Sequence, residues 1–345
     1  MKRIIVLFIL TAGLFLNSQE KKTYFFGDLG LPEDYEQTKV NFLKSVPDYQ
    51  AAVAKLPSAY RSPVTPAKDQ KSCGSCWAFA CVGVLESRIL TAYGVDFYLS
   101  EQQQVSCNTD MNGCEGGNAN ALRYWFTTGP MTEDCTGYCA CDGECSDLTN
   151  KCGLLPYNTL DYYTLTVSDF DAVKYSIYND GAAYFRFLVY DDFMNFWNNG
   201  TQGEVYHYSG RGEKKGGHAV LVFGWDDAKG AWLCKNSWGK SAGPNKDGTF
   251  WISYSDYDAL HYGVTSVGLT SSLPPRYRDM NLGARNNKNN VGWRGKGQWL
   301  DDVNGDGKAD YVYNRAGTHE YWVMTSNGKN FNTDAKWGSR NSNNN

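Results

Sequence analysis

A short apolar run opens the chain. Residues Ile4–Leu16, interrupted only by Thr11 and Gly13, follow two cations and lead into a polar boundary. This order is typical of a secretory signal, and the run is shorter than the about 20 residues that span a bilayer. We therefore predict a signal peptide over residues 1–18, with a retained anchor as the alternative, and we expect no membrane span in the remainder.

Two later patterns predict the body of the fold. Residues 75–93 carry few polar side chains and end before Gly94, which predicts a buried helix. Two β-rich runs, Ala219–Phe223 and Ala231–Cys234, flank a polar stretch at Asp226–Ala228 and predict an antiparallel hairpin. A helical first half followed by a strand-rich second half predicts an α+β protein with two lobes.

After about residue 275 the composition changes to Asn, Gly and Asp with scattered Trp. Within this tail Leu282–Asn287 matches Trp337–Ser342 at a displacement of 55 residues, a period that suggests a propeller blade or a similar array unit. We predict a small β-rich repeat within residues 276–345.

One loop of the tail has the composition of a calcium site. Its oxygen-bearing side chains are spaced around a glycine turn: Asp302, Asn304, Asp306 and Asp310. Calcium takes six to eight oxygen ligands, so the pattern favours a calcium ion over the alternative of an ion-free turn. The loop resembles the calcium loops of FG-GAP/VCBS-type repeats.

Charge and cysteine usage narrow the class of protein. A formal net charge of -4 without long basic runs argues against nucleic acid as a partner. An exported chain enters an oxidising compartment, so most of the eleven cysteines should form disulfides. If Cys76 stays free, ten remain and could form five disulfides. Zinc bound by the cluster between Cys135 and Cys152 is the alternative.

The run Gln-Lys-Ser-Cys-Gly-Ser-Cys-Trp at residues 70–77 places Cys76 in the first turn of the predicted helix. A free thiol has a pKa of about 8.5, and a helix N-terminus or a cationic imidazole favours its thiolate. We predict that Cys76 is a nucleophile, with a disulfide bond as the alternative. The amide of Gln70 and the backbone N–H of Cys76 would stabilise an oxyanion, unless Gln70 is merely a solvated loop residue.

His218 is the candidate base, because it alone of four histidines opens a β-rich run with glycines before it. If the hairpin turns at residues 226–228, positions whose numbers sum to 454 face each other, and Asn236 lies opposite His218. The amide oxygen would orient the imidazole and leave its other nitrogen for Cys76, while Trp238 covers the pair. A structural histidine is the alternative, and a register slip of one residue would turn Asn236 away.

In the order Gln, Cys, His and Asn, these motifs resemble the papain-like cysteine endopeptidases over about residues 56–270. The separation of Cys76 and His218 falls within the roughly 130–150 residues expected for that family. The resemblance implies a papain-like α+β fold, with a helical left lobe and a β-barrel-like right lobe. It also implies a short propeptide over residues 19–55 and a peptidase domain over residues 56–275.

The resemblance further implies disulfides between Cys73 and Cys114 and between Cys107 and Cys152. The chain departs from the family in two ways. The second tryptophan expected after Trp238 is missing, and the segment from residue 135 to 152 lacks the histidines by which the cysteine-rich insertion of cathepsin B binds a substrate carboxylate. Carboxydipeptidase activity is therefore not expected.

Substrate contacts are also implied by the resemblance. Gly116 and Gly117 match the glycines whose backbone binds an extended substrate by strand addition. Asn118, Ala119 and Ala219 would line or border the pocket for the second residue before the cut.

These observations predict a secreted cysteine endopeptidase that hydrolyses peptide bonds through an acyl-enzyme on Cys76, with His218 as base and Asn236 as orienter. We expect a monomer that needs no cofactor for catalysis, acts on protein or peptide substrates and resides outside the cell or in a lysosome- or vacuole-like compartment. The alternative is a catalytically silent adhesion or matrix protein that is displayed through its calcium-binding tail.

Overall fold

The computed structural model describes residues 23–269, except positions 95 and 156, and the backbone of four strands in the tail. Within the described part no helix has the length and apolar character needed to cross a bilayer. The predicted signal peptide lies outside the described residues. Short elements lead up to the residue 70 motif: helices α1 (Phe42–Ser45) and α2 (Tyr49–Val53) and strand β1 (Ala59–Arg61).

Residues 70 to 150 form the helical lobe. Its helices are α3 (Cys76–Tyr93), α4 (Glu101–Cys107), α5 (Glu133–Thr136) and α6 (Cys145–Thr149), with 3-10 turns at Gly113–Glu115 and Ala119–Phe126. The helix predicted over residues 75–93 is confirmed as α3, which is buried from Cys76 to Ile89. It ends at Gly94, whose φ of 69° belongs to the left-handed region that favours glycine.

The second half supplies the sheet lobe. Its elements are β2 (Thr159–Leu165), α7 (Phe170–Asp180), β3 (Ala183–Tyr190), α8 (Asp191–Asn199), β4 (Val205–Tyr206), β5 (Lys214–Asp226), β6 (Ala231–Lys235), β7 (Thr249–Ser253) and β8 (Gly263–Leu269). These strands form one sheet in the order β2-β8-β3-β5-β6-β7-β4, with β1 paired to β5. All pairs are antiparallel except β4 with β7. The predicted α+β fold class is confirmed.

Strand β5 lies between two hydrophobic cores. Ala219, Leu221 and Phe223 pack into the core that contains α3, whereas Val220 and Val222 pack into the aromatic core of the sheet lobe. Successive side chains of a strand point to opposite faces, so the alternation follows from strand geometry. His218 belongs to the face of Val220, and the N-terminus of α3 lies against the other face.

The predicted hairpin is present as β5 and β6, but its predicted register is wrong. Leu221 pairs with Lys235, and a bulge between Val222 and Gly224 shifts the pairs closer to the turn. The sequence gives no sign of the bulge or of the longer turn. Asn236 lies one residue beyond the last observed pair. If the same register continues to Asn236, its partner on β5 lies two positions from the predicted partner, His218. An even shift keeps a side chain on the same face, so Asn236 still points toward His218.

Cys73 is bonded to Cys114, with 4.8 Å between their Cα atoms, which is the pairing that the resemblance implies. The expected bond between Cys107 and Cys152 is wrong. Cys107 ends α4 and Cys145 begins α6, and their Cα atoms lie 4.7 Å apart, within disulfide range.

The remaining cysteines overturn two further expectations. Cys152 is bonded to Cys135, and Cys139 to Cys141, so the cluster leaves no thiolate for the zinc alternative. In the described residues no group of three or more acidic, histidine or cysteine side chains is arranged to hold a metal ion. The expectation of five disulfides is also wrong, because Cys81 and Cys234 are buried as free thiols.

The described residues of the tail form four antiparallel strands in the order β12-β11-β10-β9. They are β9 (Trp299–Asp301), β10 (Asp310–Asn314), β11 (Glu320–Met324) and β12 (Ala335–Ser339). Of the predicted calcium ligands, Asp310 begins β10, and the other three lie outside the described residues.

A buried cation joins the segment that follows β1 to the helical lobe. Lys68 Nζ lies 3.3 Å from Glu86 Oε1, 2.9 Å from Glu101 Oε1 and 3.2 Å from Glu133 Oε2. Burial alone would lower the pKa of Lys68, but the three carboxylates raise it. Burial raises the pKa of Glu101 to about 7, although Lys68 acts in the opposite direction.

Replacing Lys68 by methionine should lower the free energy of unfolding by about 3–5 kcal/mol, because it leaves buried carboxylates without their counter-charge. Denaturant unfolding at neutral pH measures the change. Lys39→Met is the matched control. Its partner Glu36 is 70% exposed, so this ion pair should contribute under about 1 kcal/mol. Equal losses in the two variants would show that the buried cluster has no special role.

Candidate active site

Cys76 is the first residue of α3, and its side chain is completely buried. Burial raises the pKa of the Cys76 thiol to about 12, and backbone hydrogen bonds from Ala219, Gly27 and Trp77 only partly offset this rise. Two of these contacts join distant parts of the chain to the thiol. Ala219 follows His218 on β5, and Gly27 belongs to the described N-terminal segment.

The predicted contact between His218 and Asn236 is present. His218 Nε2 lies 2.8 Å from Asn236 Oδ1, and both side chains are buried. Trp238 stacks on the imidazole with 4.5 Å between ring centroids and an interplanar angle of 24°. The other nitrogen, His218 Nδ1, has no hydrogen-bond partner among the described residues.

The imidazole is held in a dry environment. Burial lowers the pKa of His218 to about 4, although the hydrogen bond with Asn236 raises it. The ring of Phe187 meets the imidazole edge-on, 5.9 Å away between centroids. In this state the His218 imidazole is neutral and the Cys76 thiol protonated at neutral pH.

Gln70 is fully buried and fixed at both ends of its amide. Its Nε2 donates to the carbonyl oxygens of Cys73 at 2.9 Å and Phe25 at 3.1 Å. Its Oε1 accepts from Ser237 Oγ at 2.6 Å. Sequence reasoning missed the contribution of Ser237, although its position directly after Asn236 is the one signal that could have pointed to it.

An N-terminal segment, residues 24–31, fills the cleft between the lobes and is called the covering segment below. Gly117 N–H donates to Gly27 O at 2.9 Å, and Leu29 N–H donates to Gly117 O at 2.9 Å. On the opposite wall, Asp28 N–H donates to Gly217 O at 3.1 Å. The covering segment is therefore held by backbone hydrogen bonds to both lobes, with isolated β-bridges from Asp28 to Gly117 and Gly217.

The fit of this segment depends on glycine. A Cβ atom at Gly27 would lie 1.6 Å from the carbonyl oxygen of Gly74, and one at Gly217 would lie 2.3 Å from that of Asp28. Aromatic side chains fasten the rest of the segment. Tyr24 and Phe26 contact Trp238, with centroids 4.5 and 5.9 Å apart.

The remaining residues predicted to bind substrate surround this segment. Gly116 adopts a φ of 129°, and the Asn118 side chain accepts from Asn120 N–H at 2.9 Å. Ala119 and Ala219 are buried in the core that contains Cys76. The covering segment also places Asp28 against two residues of β3, Tyr184 and Arg186, that sequence reasoning did not single out.

The two-lobed fold, with a thiol at a helix N-terminus and a histidine–asparagine pair on the facing sheet, defines the papain-like class. A family model described as papain family cysteine protease matches residues 56–267. The chain belongs to this family.

Curated relatives are similar to the same part of the chain. Pro-cathepsin H of Bos taurus is 32% identical over 229 residues, which cover 65% of each chain. Cathepsin K of Gallus gallus is 32% identical over 220 residues, covering 62% of this chain and 64% of the relative. The chain thus spans slightly under two thirds of the length of these relatives.

Solved structures share the fold. Digestive procathepsin L2 proteinase from the larval midgut of Tenebrio molitor has a TM-score of 0.56 and 25% identity, with 71% of this chain and 78% of that chain covered. ProCathepsin B S9 from Trypanosoma congolense has a TM-score of 0.57 at 22% identity and supports the fold alone, with 71% and 86% covered.

Proposed function

We propose that this chain is the precursor of a secreted or lysosomal cysteine endopeptidase with Cys76 as its nucleophile. The observation that carries the proposal is the hydrogen bond from Gln70 Nε2 to the backbone carbonyl of Phe25. The backbone of the covering segment lies in the cleft and contacts the buried Cys76 thiol through Gly27. Its Phe25 carbonyl oxygen accepts a hydrogen bond from the fixed amide of Gln70. Family membership and the contact of His218 with Asn236 support the same conclusion.

The mechanism uses groups of the chain itself. His218 Nδ1 takes the proton of the Cys76 thiol, and the thiolate attacks the substrate carbonyl carbon. The oxyanion that forms accepts from Gln70 Nε2 and from the backbone N–H of Cys76. The imidazolium then gives its proton to the leaving amine. Water hydrolyses the thioester with His218 as base, which releases the acid product and restores the thiol.

Asn236 and Trp238 position the base. Asn236 Oδ1 accepts from the Nε2–H of His218, which selects the tautomer that leaves Nδ1 free to receive a proton. Trp238 stacks on the ring and limits the access of water to this hydrogen bond. Neither side chain exchanges protons during the reaction.

The covering segment makes the precursor latent. We assign residues 19–55 as a propeptide, because residues 27–29 pair with the backbone of Gly117 and Gly217, where we propose that a substrate binds. Its presence excludes water, which favours the neutral forms of both Cys76 and His218. Removing the segment would hydrate the site and favour the thiolate–imidazolium pair.

Latency predicts a difference in thiol reactivity. Burial raises the pKa of the Cys76 thiol to about 12, from the about 8.5 of a free thiol, and so lowers the thiolate fraction at neutral pH. Iodoacetamide should therefore alkylate Cys76 at least about 10³-fold more slowly in the precursor. Mass spectrometry of the alkylated peptide, before and after removal of residues 19–55, measures both rates. Similar rates in the two forms would contradict latency.

Labelling of the nucleophile tests the proposed function. An irreversible thiol-directed peptide inhibitor should label the processed protein once, and Cys76→Ala should abolish that label. Cys234→Ala is the matched control, because Cys234 is also a buried free thiol but lies in the sheet core. Folded, processed protein that takes no label would overturn the proposal and favour a silent adhesion or matrix role.

A further inference from the structure

A buried arginine borders the cleft. Arg186 on β3 pairs with Ala219 on β5 and with Gly263 on β8. Because Gly263 has no side chain, the aliphatic part of Arg186 lies over its Cα, and a Cβ there would come within 2.9 Å of Arg186 Cγ. Arg186 Nη1 donates to His261 O at 2.6 Å, and the residue is only 5% exposed. The guanidinium is thus fixed in a pocket beside Ala219.

A carboxylate fills that pocket in the precursor. Asp28 Oδ2 accepts from Arg186 Nε at 2.6 Å, and Asp28 Oδ1 accepts from Tyr184 Oη–H at 3.1 Å. The Asp28 side chain has no exposed surface. Its backbone forms bridges to both Gly117 and Gly217, the positions at which a substrate strand would be held.

Processing would remove this carboxylate and leave the arginine. Among the described residues, Asp28 is the one carboxylate that forms an ion pair with Arg186. Once Asp28 has left, the guanidinium keeps the His261 carbonyl and faces the vacated pocket. A buried charge without a counter-charge is unfavourable, so an apolar side chain in the pocket would be disfavoured and a carboxylate favoured.

We infer that Arg186 and Tyr184 make the pocket between Gly117 and Gly217 specific for a carboxylate. The enzyme would then prefer substrates that have Asp or Glu as the second residue before the cleaved bond. This inference rests on the proposed function and names its substrate class. Arg186 is the residue that determines the preference, because it supplies the positive charge. Tyr184 adds a hydroxyl donor to the second carboxylate oxygen.

A peptide series tests this specificity on the processed wild-type enzyme. Its members differ only at the second residue before the cut: Glu, Gln, Asp, Asn, Leu and Lys. We expect kcat/KM for Glu and Asp to exceed the values for Gln and Asn by about 10²-fold. An amide carries no negative charge to pair with the buried guanidinium, and its NH2 group cannot accept the second hydrogen bond. Lys should be the poorest substrate, since it would place a second cation beside Arg186.

Two variants locate the cause. Arg186→Met should abolish the preference for Glu over Gln, and Arg186→Lys should retain part of it. Arg61→Met is the control, because Arg61 lies exposed on β1 and should leave the ratio unchanged. If Arg186→Met fails to fold, the wild-type peptide series still decides.

A synthetic peptide of residues 23–39 adds a second measurement. Replacing Asp28 by Asn in this peptide should weaken its inhibition of the processed enzyme at least about tenfold.

The outcomes separate this inference from the proposed function. Iodoacetamide titration of Cys76 and cleavage of any peptide of the series first establish an active enzyme; their absence would overturn the proposed function. An active enzyme that cleaves the Leu peptide as well as the Glu peptide would overturn the inference alone. Arg186 would then serve only to bind the covering segment in the precursor.

Discussion

Replacing His218 by alanine should lower kcat of the processed enzyme for a peptide substrate by at least about 10⁴-fold at neutral pH. The imidazole is the proposed base for the Cys76 thiol, and its Nδ1 has no hydrogen-bond partner among the described residues. Without it, thiolate forms only through direct ionisation of the thiol, and the leaving amine loses its proton donor. Steady-state hydrolysis of one peptide by variant and wild type measures the loss.

The pH dependence of alkylation gives this experiment a second readout. In His218→Ala, the rate of iodoacetamide alkylation of Cys76 should rise with a pKa of about 8.5, as for an ordinary thiol. His207→Ala is the matched control, because His207 is largely exposed and should leave kcat unchanged. A folded His218→Ala enzyme that keeps a tenth of its kcat would remove His218 from the mechanism.

Gln70→Ala should lower kcat by about 10²–10³-fold with little change in KM, since its amide donates to the charge that develops in the transition state. Gln202→Ala is exposed and provides the control. Ser237→Ala should have a smaller effect, because Ser237 only orients the Gln70 amide through the 2.6 Å hydrogen bond to Oε1. A loss in Gln70→Ala that appears entirely in KM would assign Gln70 to ground-state binding instead.

The candidate site could be predicted closely where chemistry depends on local sequence. Cys76 follows directly from its position at the start of a buried helix, and His218 from its position within a β-rich run. The predicted contact of His218 with Asn236 is present, but the register from which it was predicted is wrong by two residues. The contact is present because an even error in register keeps Asn236 on the same face.

Other features depend on approaches that no local pattern encodes. Cys107 meets Cys145 because α4 packs on α6, and helix packing is not evident from cysteine spacing. Asp28 and Arg186 are 158 residues apart, and neither has a motif of its own. Their pairing requires both the path of the covering segment and the register of β3 against β5.

The position of β5 between the two cores has a consequence for how the enzyme fails on heating. In its central part, Ala219–Phe223, alternate side chains pack with α3 and with the aromatic core. Because both cores are built on this one strand, we expect neither core to unfold while the other stays packed. Cys76 belongs to the core that contains α3, and the imidazole of His218 contacts Phe187 and Trp238 of the aromatic core. Calorimetry of the processed body should therefore give a single transition, and partly melted molecules with half a site should not accumulate.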